Sequence, residues 1–109
     1  MKDDLAYIEH IKEAISKILK YTQNLTREGF EENPMVQDAV IRNIEIIGEA
    51  TKNISSEMTS SYEKIPWKEM AGMRDKLIHD YMGVEIDVVW KTIELDIPDL
   101  DKLLKDIET

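Results

Sequence analysis

The sequence predicts an all-α fold, an antiparallel bundle of four to five helices in one domain spanning residues 1–109. Three observations carry this. Apolar residues recur every three or four positions almost throughout, and no segment of useful length alternates with period two. Gly and Pro punctuate little, with 4 and 3 copies. The length of 109 residues suits a single domain and suffices to bury a core without staples.

The first helix is predicted from about Asp4 to Leu25, with Leu5, Ile8, Ile11, Ile15, Ile18, Leu19 and Leu25 as its apolar stripe. Lys12, Glu13, Lys17 and Lys20 mark its solvated face. Thr26 to Asn33, with Gly29, reads as a loop. Asn33 and Pro34 then form a helix start, Asn as N-cap and Pro in the first helical position. The second helix runs from there to about Glu57. Its apolar residues, from Ala39 to Ile54, fill an arc of roughly 220° at 100° per residue, about twice what one core face needs. That surplus implies a central helix, or one that packs on a partner as well. Gly48 lies inside the arc, where a missing side chain allows close approach of another helix. Asn43 lies inside it too, as a buried amide satisfied by backbone or as a residue of a site.

Ser55 to Ile65 is polar and reads as a loop. Pro66 opens a third helix that runs to about Tyr81, with Gly83 as a left-handed C-cap. A fourth spans about Glu85 to Leu95, with Val88, Val89 and Ile93 facing the core. Pro98 opens a last short helix carrying Leu100, Leu103, Leu104 and Ile107. Short connections between such helices make an antiparallel bundle.

Composition excludes several functions. Lys plus Arg number 14 against 23 Asp plus Glu, a net charge of −9, which argues against a general nucleic-acid coat or a polybasic membrane binder. With no Cys there is no disulfide framework and no thiolate metal site, and with only His10 and His79 a His-rich metal site in one chain is not expected. No apolar run reaches the length of a membrane span. Met1-Lys2-Asp3-Asp4 leads into amphipathic sequence rather than a signal peptide, so a soluble, cytoplasmic protein is expected.

The third helix breaks the ordinary pattern. With Arg74 at zero on a helical wheel, Trp67, Met70, Leu77, Ile78 and Tyr81 all fall within roughly 60° of it. A permanent charge in the middle of an apolar stripe must be paired, as in a buried bridge to a carboxylate, or must face a polar cavity. His79 lies about 140° away, one turn after Asp75. At this i,i+4 spacing the Asp75 carboxylate can accept a bond from the imidazole, which would fix its tautomer and raise its pKa. The same pair also suits an ordinary surface. Arg74 and His79 come together either by the Arg bending toward the His or by two copies of this helix meeting across a twofold axis.

Ile65-Pro66-Trp67 followed by Ala71-Gly72-Met73-Arg74-Asp75-Lys76-Leu77-Ile78-His79-Asp80-Tyr81 resembles the HEPN domain. More closely, it resembles the HepT toxin of HEPN–MNT toxin–antitoxin pairs. The Arg, polar residue, spacer and His of that family stand here as Arg74, Asp75, four intervening residues and His79, with the HepT tyrosine at Tyr81. Gln37 to Ala50, Val88-Val89-Trp90 and Asp96-Ile97-Pro98 are typical of the same family, so the resemblance covers nearly the whole chain.

The resemblance implies a helical homodimer with a composite cleft at its interface and a metal-independent endoribonuclease without a cofactor. It implies catalytic roles for Arg74 and His79, support from Asp75, Asn43 and Glu49, and neutralisation by an MNT-type nucleotidyltransferase antitoxin that adds AMP to Tyr81. The chemistry suits the side chains: an imidazole titrates near neutral pH, and a guanidinium grips phosphate through two parallel hydrogen bonds. Without the resemblance, Tyr81 reads equally as a core aromatic with its hydroxyl at the rim. The local charge excess is small: Lys64, Lys68, Arg74 and Lys76 against Glu69 and Asp75. RNA affinity would therefore come from the dimeric cleft or from stacking and shape. The alternative is a non-catalytic helical adaptor that binds a nucleotidyltransferase; the acidic charge favours it and the intact Arg74/His79 pair opposes it. A di-iron bundle would want Glu-x-x-His pairs, which the chain lacks.

Overall fold

Isoleucine dominates the interior. Among the described residues, eleven of the twenty buried apolar side chains are Ile, from Ile8 and Ile11 at one end of the sequence to Ile97 and Ile107 at the other. The computed structural model describes residues 2–79 and 85–107, and only the backbone of Lys2, Arg74 and residues 76–79. Among the described residues every regular element is helical: α1 (Lys2–Thr22), α2 (Arg27–Glu31), α3 (Pro34–Lys52), α4 (Ser56–Ser61), α5 (Trp67–His79), α6 (Ile86–Lys91), a π-helical turn (Thr92–Asp96) and α7 (Ile97–Leu104).

The helix α1 buries Ile8, Ile11, Ala14, Ile15 and Ile18, the 3–4 spacing that the sequence shows. Two expected members of its stripe differ. Leu5 is exposed, and Leu25 lies beyond the helix in the turn that follows it, partly buried. The helix ends at Thr22, whose hydroxyl bonds back to the Ile18 carbonyl at 2.7 Å.

The segment expected to be a loop before Pro34 contains a short helix, α2. Thr26 caps it by accepting from the Gly29 amide, and Phe30 projects from it into the core. The Phe30 ring meets Trp90 of α6 at a centroid distance of 5.3 Å, and Arg27 forms an ion pair with Asp87. A single fully buried aromatic thus anchors a segment whose composition is otherwise polar.

Asn33 caps α3 through the Val36 amide with Pro34 in the first turn, as the sequence predicts. The helix stops at Lys52, one turn short of the expected end. The wide apolar arc has its reason in the topology: α3 packs against α1 and α5, so it buries Val40, Ile44 and Ile47 as well as Gly48 and Ala50. It runs antiparallel to α1, whose start lies against Ser55 beyond the α3 C-terminus. There Asp4, buried although charged, accepts from the Ser55 amide at 2.8 Å and the Ser55 hydroxyl at 2.6 Å. Ser55 in turn caps α4 through the Met58 amide, which gives a helix where the sequence reads as a loop.

Trp67 opens α5, its indole donating to the Tyr62 carbonyl at 3.0 Å, over a floor formed by Ile65 and Met70. The fourth predicted helix divides into α6 and the π turn. Val89, Trp90 and Ile93 face the core, whereas Val88 is only half-buried. The wide turn closes with the Ile97 amide on the Thr92 carbonyl, five residues back. Pro98, lacking an amide hydrogen, cannot continue an ordinary ladder to the Glu94 carbonyl. Then α7 runs on without a break and buries Ile97, Leu100 and Leu104. The side chain of Lys12 reaches from α1 to the Ile107 carbonyl. No helix among the described residues is long and apolar enough to cross a membrane.

Candidate active site

The motif residues Arg74, Asp75 and His79 stand together in the second half of α5. The side chains of Arg74 and His79, and all of Tyr81 and Gly83, lie outside the described residues. What the fold fixes is the platform that carries them. The start of α5 is held by Trp67 and Met70, the latter wholly buried, and its flank packs along α3.

Asp75 faces that flank. Its Oδ1 lies 2.9 Å from the Nζ of Lys52 in the last turn of α3. The sequence pairs Asp75 with His79 by spacing and gives no sign of Lys52, since a contact between residues 52 and 75 depends on how two helices cross. Lys52 sits where a cation is favoured, at a helix C-terminus, and that is the only local hint it offers.

Asn43 and Glu49 fare differently. Asn43 is buried in α3 and its amide donates to the Ala39 carbonyl at 2.8 Å, one turn back along its own helix. This is the satisfied-backbone arrangement open to a buried amide in a helix. Glu49 is exposed and lines a cleft of about 350 Å³ between α1 and α3, with Tyr7, His10, Arg42, Glu45 and Asn53. Asp75 is a described candidate that a long-range contact ties to the helix packed beside α5.

A second cleft, of about 580 Å³, opens between α5 and the π turn with α7. Met70, Met73, Leu100 and Leu103 line it together with Gly72, two residues before Arg74. Among the described residues no cluster of three or more His, Asp or Glu is placed to hold a metal ion.

The family model described as ribonuclease HepT-like matches residues 11–107. A protein of Caldanaerobacter subterraneus subsp. tengcongensis, provisionally named an RNase, is 43% identical over 107 residues, 98% of this chain and 96% of its own. A Methanocaldococcus jannaschii protein, named a gamma-glutamylcyclotransferase and provisional RNase, is 47% identical over 108 residues; the match takes in 98% of this chain but 49% of that longer one. A Thermococcus cleftensis protein named a probable ribonuclease HepT is 51% identical over 94 residues, 86% of each chain. No solved structure matches.

Proposed function

The chain belongs to the HepT-like ribonuclease family, and on that footing we propose that it is a metal-independent endoribonuclease, the toxin of a toxin–antitoxin pair. The observation that carries this reading is the set Arg74, Asp75 and His79 on one helix, within the stretch that the family model matches.

The proposed reaction is an internal transfer. A copy of His79 takes the proton of a ribose 2′-hydroxyl, and the 2′-oxygen attacks the adjacent phosphorus. The bond from phosphorus to the 5′-oxygen breaks, and an imidazolium returns a proton to that leaving oxygen. The products carry a 2′,3′-cyclic phosphate and a 5′-hydroxyl. Arg74 holds the phosphate and stabilises its developing charge. A homodimer supplies two copies of each residue, so one His79 serves as base and the other as acid. Asp75 orients the histidine from the α5 side, and Asn43 and Glu49 support the site from α3. The antitoxin is a nucleotidyltransferase that adds AMP to Tyr81, and the pair acts in the cytoplasm. An acidic chain of net charge −9 suits a protein ligand better than nonspecific RNA, which supports the partner's place in this reading.

The test is cleavage of labelled single-stranded RNA by purified wild type, Arg74→Ala and His79→Ala, with EDTA present. Wild type is expected to cleave, and each variant to lose at least a hundredfold in rate while keeping its helical circular-dichroism spectrum. Equal cleavage by His79→Ala would remove the acid–base assignment. Loss on chelation, restored by a divalent ion, would remove the metal-free mechanism. A folded wild type that cleaves nothing yet binds a nucleotidyltransferase is the adaptor.

A further inference from the structure

Arg42 and Glu45 stand three residues apart on α3, a spacing at which opposite charges readily pair. Neither side chain has an ion pair or hydrogen bond among the described residues. Other polar side chains of the same helix and its cap are engaged: Asn43 on Ala39, Thr51 on Ile47, Lys52 on Asp75 and Asn53 on Glu49. Arg42 and Glu45 instead line the cleft of about 350 Å³ between α1 and α3, where Tyr7 and His10 of α1 are equally without a side-chain partner. Four unengaged polar side chains that converge on one cavity make a binding site rather than a solvated face.

The cleft specifies a small ligand. Its volume lies near the lower end of the range for such sites, room for one ring system and its substituents. Tyr7 is partly buried and packed on the core, so its ring is a fixed surface on which a base can stack. Arg42 is exposed at the cleft and offers a guanidinium to a phosphate. Glu45 is half-buried, and its carboxylate presents two acceptors side by side and no donor. Among the four RNA bases, guanine alone carries two adjacent donors on its Watson–Crick edge, N1–H and N2–H. Adenine and cytosine set an amino group beside a ring-nitrogen lone pair, and uracil sets one N–H between two carbonyls. Each of these three turns a lone pair toward one of the carboxylate oxygens.

We propose that the α1–α3 cleft holds one guanosine nucleotide of the RNA, with Glu45 reading the base, Tyr7 stacking on it and Arg42 holding its phosphate. This rests on the reading of the chain as a ribonuclease, and it adds a base preference. The position suits that use, since α3 packs against both α1 and α5. Glu49 lines the cleft, and Lys52, about 4.5 Å farther along the helix axis, reaches Asp75 on α5. A strand cleaved at α5 thus crosses one helix to set a neighbouring base in the cleft. Base contacts also supply affinity that an acidic chain does not draw from the phosphates.

Two measurements on the full chain test this. Binding of GMP, AMP, CMP and UMP is followed by NMR, with the amide shifts of Tyr7, Arg42 and Glu45 as reporters. Cleavage is compared on labelled oligouridine carrying a single guanosine or a single adenosine. Wild type is expected to prefer GMP by about tenfold, because each rival base leaves a buried acceptor unmatched. It is also expected to cut the guanosine oligonucleotide faster by a similar factor, at a fixed distance from that base. Glu45→Gln should bring both ratios close to one while keeping its helical spectrum and melting temperature. Arg42→Ala should weaken all four nucleotides alike, a split that a merely structural role would not produce. Equal binding of the four nucleotides, or a guanosine preference that survives Glu45→Gln, would overturn the cleft and leave the ribonuclease reading intact. Wild type that binds GMP through Glu45 yet cuts no RNA would overturn the ribonuclease reading, and with it RNA as the source of the nucleotide.

Discussion

Lys52 and Asp75 join the end of α3 to the middle of α5, Nζ to Oδ1 at 2.9 Å, across 23 residues of sequence. The pair is open to solvent, with 37% and 50% of the two side chains exposed. It is therefore a weak source of stability and a better candidate for setting where the Asp75 carboxylate sits.

Lys52→Met is expected to change unfolding free energy by less than about 1 kcal/mol, as for exposed ion pairs generally. RNA cleavage should fall several-fold in kcat with KM nearly unchanged, because the carboxylate loses one of the contacts that set its position. Urea denaturation and steady-state kinetics on the same preparation check both parts.

Asp4 carries a pH signature. The Ser55 hydroxyl and then the Ser55 amide donate to it and hold its pKa below the ordinary carboxylate value. A depressed native pKa contributes stability that is present above the unfolded-state pKa and is lost as pH falls through the native one. Asp4→Asn should therefore melt below wild type at pH 7, and the gap should close in acid, below about pH 4. Melting curves from pH 7 to pH 2 check it; a gap that widens in acid would contradict the linkage.

Phe30 is fully buried and in ring contact with Trp90. Phe30→Ala is expected to cost about 3–5 kcal/mol, and α2 should lose its docking first. A lowered urea midpoint with an unchanged slope would show a stability effect alone. Fluorescence of Trp90 reports the lost ring.

Co-expression with an active nucleotidyltransferase should add whole AMP units to Tyr81 and silence cleavage. On the helical wheel of the sequence the seven-residue spacing puts Tyr81 about 20° from Arg74, and a phosphate added there is expected to meet the guanidinium. Tyr81→Phe should escape this silencing. Intact-mass spectrometry decides: an unmodified Tyr81 in an inactive complex would make the block purely steric.

Legibility followed the range of the cause. Stripes, caps and helix starts are local, so Ile8 to Ile18, the Asn33 cap and the role of Pro34 could be read directly. The broad arc of α3 announced a central helix because burial on two sides needs apolar residues on two sides. Phe30 and Ser55 were missed for one reason: each sits in a polar run too short to show a period, and each is fixed by a distant partner, Trp90 or Asp4. Leu5 erred the other way, apolar and at helical spacing yet exposed, while its neighbour Asp4 is buried. At the site, spacing marked Asp75, but its contact with Lys52 belongs to the crossing of two helices and leaves no trace in either one alone.

The isoleucine interior has a thermodynamic consequence. In a helix the β-branched side chain holds nearly one χ1 rotamer. Fixing it costs about 0.5–1 kcal/mol of side-chain entropy, against about 1.5–2 kcal/mol for a flexible residue such as Met. The same branching makes Ile a weaker helix former than Leu, so α1 and α3 draw little of their order from themselves. Such helices stand or fall together. Amide hydrogens at Ile11, Ile15, Ile44 and Ile47, all buried on the two helices that pack together, should exchange with solvent at one common free energy, that of opening the whole molecule.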